Sequence, residues 1–425
     1  MTKNMRIIAD WHLHSRFSRA SSKDLTLENN ALWCEKKGVS VLGTADFTHP
    51  EWFAELEEKL EEAEQGLYRL KSGAHPNIRY MLTTELAQIY RRGDKVRRIH
   101  NIVLAPSLDA VRKINAWLDG KGSNRKSDGR PILGFDSEEL YKVLKDLDER
   151  IVVIPAHAWT PWFSVFGSKS GFNSLEECFG SMTPYIYAVE TGLSSDPLMN
   201  RSLTQLDNVM LISSSDAHSP RNFGREANVF EIAPEKYSYD EFIRILREKD
   251  RDAFLYTIEF HPEEGKYHVD GHAACGFSCT PEETVRLHGK CPKCGKPITV
   301  GVLARVAELA DRKLETMPTN HVPFRSIVPL QEVIAEAHGV ASTAGKKVQE
   351  VYETLIRDVG NEFHILLDAP IDIITSASSP RIAEAIRRMR AGEMRITPGY
   401  DGIYGKVKIF GEDGTAFMQK QGALL

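Results

Sequence analysis

Short apolar runs alternate with longer amphipathic stretches through the first 255 residues. The runs are Arg6–Ala9, Val39–Gly43, Tyr80–Leu82, Ile102–Ala105, Ile151–Pro155, Ile186–Val189 and Val209–Ile212. Between them, Trp52–Tyr68, Ser137–Leu147 and Tyr239–Glu248 repeat their apolar positions at helical spacing. This alternation predicts an α/β fold with a largely parallel sheet. Seven strands approach the number that closes a (β/α) barrel. The pattern breaks at Tyr80–Ala105, where Arg92-Gly93-Asp94 between two apolar stretches predicts a hairpin. The expected fold is therefore an irregular seven-stranded barrel. Residues 256–300 are rich in His, Gly and Cys, with few apolar runs. Helical spacing returns at Val302–Lys313, Leu330–Ala337 and Lys346–Val359, and Ile396–Phe417 reads as a small β-hairpin. The expected pieces are thus 1–255, 256–300 and a mainly helical 301–425.

Composition narrows the class. With 42% hydrophobic and 27% charged residues, the 425-residue chain is an ordinary globular protein of two or three domains. It lacks an 18-residue apolar run, so no membrane span is expected. Met1–Asp10 lacks the regions of a secretory signal, which points to the cytoplasm. The net charge of −5 does not favour nucleic acid in bulk, but the sum hides local distribution.

The candidate chemistry lies where the strands end. Asp10-Trp11-His12-Leu13-His14 follows the first run, and its i, i+2 histidines point to one side of an extended chain. Asp46 and His49 follow the second run, and Glu85 the third. His100 precedes the fourth, His157 and Glu190 follow the fifth and sixth, and Asp216-Ala217-His218 follows the seventh. In an α/β barrel those ends converge on one mouth. Imidazoles with carboxylates suit zinc, manganese or iron, and there are more donors than one zinc ion uses. Two or three divalent ions sharing a carboxylate would suit phosphoryl transfer. Asp196, after Glu190, is a further candidate ligand or general base. His75, His321, His338 and His364 fall outside the pattern.

The H-x-H after the first strand, the Asp and His after the second, the later Glu, His and His, and the closing Asp-x-His resemble the PHP (polymerase and histidinol phosphatase) family of metal-dependent phosphoesterases. Longer strings, among them GTADFTHPEW, PAHAWTPWFS, ETGLSSDPLMN and SDAHSPRNFGRE, resemble one DNA-repair branch of it. The resemblance implies a Zn-, Mn- or Mg-dependent endonuclease that nicks DNA 5′ to uracil, hypoxanthine, xanthine or a missing base. It implies His12, His14, Glu85 and Asp216 around one ion. His100 and His157 would hold a second, with Glu85 bridging, and His218 with Asp46 or His49 a third. Glu85, Asp216 and Asp196 would serve catalysis. Two departures bear on the third ion. The usual Asp-His pair is spread over Asp46-Phe47-Thr48-His49, and Ser15–Lys23 has no histidine. Damaged DNA is the implied partner, with a DNA-binding role expected for residues 301–425, a replication clamp or other repair protein beside it, and no membrane. A small-ester phosphatase and a non-catalytic zinc scaffold are the alternatives. The long extension argues against the first and the full ligand set against the second.

Cys275-x3-Cys279 and Cys291-x2-Cys294 predict one structural zinc, with His268 or His272 able to replace Cys275 or Cys279. For substrate contacts, Arg91, Arg92 and Arg98 cluster before His100 and could hold phosphates. Trp159, Trp162, Phe163 and Phe172 near His157 could stack on a base. Arg130 joins them through the resemblance alone.

Overall fold

A computed structural model describes residues 3–313, 316 and 320–411. The chain divides into two compact units. The first contains Met1–Glu35, Val39–Ile258 and Leu309–Arg325; the second contains Lys36–Gly38, Glu259–Glu308 and Ser326–Leu425. The fold is mixed α/β. Among the described residues, the strands form one sheet of eleven and three two-stranded sheets.

In the first unit, Met5–Asp10, Val41–Gly43 and Arg79–Arg92 run parallel. Arg79–Arg92 turns back at Gly93-Asp94 onto Lys95–Ala105, giving the expected hairpin with its register running from Leu82 opposite Ala105 to Arg92 opposite Lys95. Val152–Pro155 continues antiparallel to that strand. On the other side, Ala227–Ile232 pairs antiparallel with Met5–Asp10, and Phe254–Glu259 antiparallel with Ala227–Ile232. Ala188–Glu190 and Met210–Ile212 pair with each other in their own two-stranded sheet. The seven expected strands therefore do not share one hydrogen-bonded ladder.

Packing follows the alternation of a strand. Trp11 and Leu13 are buried in the core, and His12 and His14 between them face the site. Trp11 stacks on Phe230, with ring centres 5.6 Å apart, and meets Phe242 edge-on at 5.6 Å. Ser137–Leu147 and Tyr239–Glu248 are helices as expected, capped by Asp136 and Ser238. Trp52–Tyr68 is not one helix. It is helical over Pro50–Lys59, then forms strands Leu60–Glu64 and Leu67–Leu70. Gly66, at φ +70°, makes the turn between them, and a Cβ there would meet Tyr239.

The second unit joins the cysteine-rich segment to the C-terminal helices. Val302 N donates to Tyr267 O, and Val269 N to Gly399 O. The hairpin Asp270–His272 with Phe277–Cys279 leads to the turn of Cys291–Cys294. Helices Leu330–Ala337, Lys346–Asp358, Ile371–Ala377 and Pro380–Arg390 bury Ile334, Tyr352, Ile374 and Ile386. The helix expected over Val302–Lys313 is confined to Val302–Leu309. Within the expected Ile396–Phe417 hairpin, Arg395–Thr397 pairs with Lys406–Lys408; residues 412–417 lie outside the described residues. No helix among the described residues is long and apolar enough to cross a membrane.

Candidate metal centre

Two remote segments are tied together first. Asp216 N donates to His12 O, His14 N donates to Ala217 O, and Leu13 bridges to Ala217. Asp10, fully buried, accepts from Ser215 N and Gly224 N at 3.0 and 2.9 Å and closes the same junction. Its burial pushes its carboxyl up to about 6. The sequence motifs H-x-H and D-x-H are thereby made adjacent.

Glu85 stands at the centre, 1% exposed, in the middle of the long strand rather than after it. Its Oε1 lies 2.5 Å from His100 Nδ1 and 3.0 Å from His157 Nε2, and those two nitrogens are 3.2 Å apart. Its Oε2 lies 3.6 Å from His12 Nε2, 3.5 Å from His14 Nε2 and 2.8 Å from Arg130 Nη1. Asp216 Oδ1 is 2.9 Å from His14 Nε2 and 3.8 Å from His12 Nε2. Two donor groups result: His12, His14 and Asp216; and Glu85, His100 and His157. His100 precedes its apolar run because its strand is antiparallel, which returns it to the same end as His157.

The donor chemistry fits divalent ions. Tetrahedral ligands about 2.1 Å from zinc lie roughly 3.4 Å from one another, close to the spacings around His12, His14, Glu85 and Asp216. His12 Nε2 is buried without a hydrogen-bond partner, as a lone pair reserved for a cation would be. Burial pushes His14 down, yet Asp216 and Asp46 outweigh it and raise it to about 9. His12 is likewise raised against its burial by Glu190 and Glu85. Burial alone would raise Glu85, but His100, Arg130 and His12 hold it well below the usual carboxylate range. Excess carboxylate charge draws protons here, the same pull that would draw a metal. His100 goes the other way: burial lowers it to about 4.

The family model for the MJ0043 C-terminal domain matches residues 329–393. The uncharacterized protein YqxK of Bacillus subtilis is 30% identical over 421 residues, covering 95% of this chain and 99% of that one. The uncharacterized protein MJ0043 of Methanocaldococcus jannaschii is 35% identical over 253 residues, 59% of this chain. The match spans only 31% of MJ0043's length. The crystal structure of the lesion-specific endonuclease PfuEndoQ from Pyrococcus furiosus superposes with a TM-score of 0.84 at 31% identity, covering 96% of each chain. The chain belongs to the endonuclease Q family. A structure of endonuclease Q with a 27-mer duplex carrying an abasic lesion at its active site matches at TM-score 0.83, 31% identity, 98% of this chain and 99% of that one.

In this endonuclease Q relative, several expected site residues lie beside the two donor groups and not within them. Both oxygens of Glu190 lie 3.0 Å from His12 Nδ1, and Oε2 accepts from His157 N at 2.7 Å. A carboxylate on Nδ1 fixes the tautomer that frees Nε2. Asp46 Oδ2 accepts from Ser15 N, Ser15 Oγ and Ser18 Oγ, with Oδ1 3.6 Å from His14 Nδ1. The histidine-free stretch after His14 thus supplies serines that hold Asp46, which the sequence reading missed. His49 stacks on Phe17 with ring centres 4.2 Å apart, and His218 lies over His14 at 4.3 Å. Among the described residues, Asp46, His49 and His218 do not assemble a third donor group. Asp196 caps the helix Pro197–Arg201 by accepting from Met199 N.

Backbone strain marks the site. Asp46, His157 and Asp216 have φ of +42°, +30° and +46°. Gly192 and Gly129 leave the room needed: a Cβ would lie 2.5 Å from His157 Cβ or 2.2 Å from Asp46 Oδ2.

The expected substrate residues divide by exposure. Trp159 is buried and donates to Asn200, and Phe172 is buried beneath Arg97, so neither can stack on a base without unfolding its surroundings. Arg92 is held by Asp136 and the carbonyls of Glu177 and Cys178. Trp162 is 49% exposed under Arg98, at 4.8 Å, and Phe163 lies 4.5 Å from the His100 ring. Arg91 is exposed.

In the second unit, the donors that come together are His272, Cys275, Cys291 and Cys294. Three members of the expected four-cysteine set lie in this group. Cys279 is outside the group but buried beside it with Cys291 and Ile298, and its Sγ sits 3.3 Å from Thr284 Oγ1. The fourth donor of the group is His272, with Nδ1 3.6 Å from Cys294 Sγ.

Proposed function

We propose that this chain is a metal-dependent endonuclease that cuts DNA 5′ to a deaminated or missing base: uracil, hypoxanthine, xanthine or an abasic site. The single observation that carries the reading is Glu85, one carboxylate shared by two His-rich donor groups. The likeness to endonuclease Q over nearly the whole chain supports the substrate. His12, His14 and Asp216 would hold one divalent ion, and His100 and His157 another, with Glu85 between them. Such ions supply Lewis acidity toward phosphate and a nucleophilic water near neutral pH.

The chain's own residues do the rest. Glu190 and Asp46 orient His12 and His14, and Thr160 Oγ1, 3.1 Å from His157 Nδ1, orients His157. Arg130 holds Glu85 through one guanidinium nitrogen, leaving its other donors for a phosphate. Trp162 with Arg98 offers an aromatic face and a cation for a base taken out of the stack. We read the strands as an irregular PHP-type barrel with the donors at one end, and the His272 group as a structural zinc site. The clamp partner rests on the resemblance.

Substituting His14→Ala or Asp216→Ala tests this. Each should abolish nicking of a uracil-containing duplex while circular dichroism stays native. Undiminished nicking by both would remove this centre from the reaction.

A further inference from the structure

Two strands that lead to the metal centre start at a cleft. Val152–Pro155 runs on to His157, and Ala188–Glu190 ends on Glu190. Val152 and Tyr187, where those strands begin, line a cavity of about 910 Å³ in the first unit. Small-molecule sites span roughly 300–1,000 Å³. The floor of this cleft is fixed. Met182 and Ile243 are buried in it, and buried Tyr239 donates its hydroxyl to Leu104 O at 3.1 Å and to Arg150 O at 2.8 Å. Tyr141 donates its hydroxyl to Tyr185 O at 2.9 Å and so holds one wall.

The walls carry three kinds of group. Tyr185, 43% exposed, and half-buried Tyr187 supply aromatic surface. Lys145 Nζ lies 5.3 Å from the Tyr185 ring centre, and Arg247 lines the same cleft. Among the described residues, no ion pair reaches Lys145, and Arg247 meets only Glu248, at 3.3 Å. The neighbouring cations are already paired, Lys142 with Glu138 and Arg150 with Asp148, each at 2.8 Å. Burial pushes the Lys145 ammonium down, and the charge of Arg247 adds to that against Glu149 and Asp148. Two cations close enough to repel, without a carboxylate clamped between them, are a place for an anion. Asp146 and Glu149, exposed at the rim, make no ion pair among the described residues and are open acceptors.

We infer that this cleft binds a free nucleoside phosphate whose base carries an amino group: adenine, guanine or cytosine. The phosphate sits on Lys145 and Arg247, the base lies on Tyr185, and the amino group donates to Asp146 or Glu149. The combination decides the class. Inorganic phosphate would use the two cations but neither the rings nor the carboxylates. An apolar molecule would use the rings but strip water from charges it cannot pair. The inference does not rest on the endonuclease reading, because the cleft and the metal centre lie at opposite ends of the same strands.

Isothermal titration of the full chain with AMP, GMP, CMP, UMP, adenosine and inorganic phosphate tests it. The three amino-bearing nucleotides should bind about tenfold or more tighter than UMP, adenosine or phosphate, since each of those lacks one partner for the site. The double variant Lys145→Ala with Arg247→Ala should weaken AMP about tenfold or more. Tyr185→Ala should weaken it about fivefold or more. Circular dichroism of these surface variants should stay native. His14→Ala, which alters the metal centre, should bind AMP as the parent does. AMP binding lost in His14→Ala but kept in the Lys145/Arg247 variant would put the nucleotide at the metal centre and overturn the inference. Equal affinities for AMP and UMP, or for AMP and phosphate, would also overturn it, as would a parent chain that binds no nucleotide. Nicking of lesion DNA by the parent chain bears on the endonuclease reading alone.

Discussion

At the scale of single residues, the arrangement of support matters as much as the ligands. Glu190 offers both oxygens to His12 Nδ1 and so presents Nε2 to Glu85 and Asp216. Glu190→Gln keeps the shape but loses the charge that fixes the tautomer. Metal affinity, measured by competition with a chromophoric chelator, should fall about 10- to 100-fold, with the melting temperature of the chelated protein little changed. Unaltered affinity would make Glu190 a packing residue. The residue types of this centre were legible in the sequence, because nearly every apolar run delivers a His, Asp or Glu at one end. Their division of labour was not, because it depends on which oxygen faces which nitrogen across more than a hundred residues of chain. Trp159 shows the same limit: its place beside His157 in sequence suggested the mouth, and its burial puts it in the core.

At the scale of elements, periodicity served well where an element packs one face and failed where tertiary contact overrides it. Ser137–Leu147 and Leu330–Ala337 carry clear helical spacing and are helices over those bounds. Trp52–Tyr68 has similar spacing, yet Gly66 against Tyr239 folds its second half into a hairpin. The cysteine segment was legible as a metal site from spacing, but its fourth donor depends on the pairing of two short strands. That pairing makes a direct prediction. Cys294→Ser should lose bound zinc and destabilise the second unit, because a structural ion contributes folding free energy. Cys279→Ser should retain one zinc per chain by mass spectrometry. Zinc loss in Cys279→Ser with retention in Cys294→Ser would restore the four-cysteine set.

At the scale of the whole molecule, the account rests on the shared-carboxylate centre of the first unit. The donor pattern made the phosphoesterase chemistry legible, because residue types that hold divalent ions recur at the strand ends. The central claim is lesion-directed, metal-dependent cleavage. The most direct measurement is nicking of 5′-labelled duplexes carrying one uracil, one hypoxanthine or no lesion, with manganese or magnesium and with chelator. The account predicts a cut 5′ to the modified base that disappears in chelator and is missing from the undamaged duplex. Failure to cut any duplex, together with phosphate release from small esters under the same conditions, would contradict it.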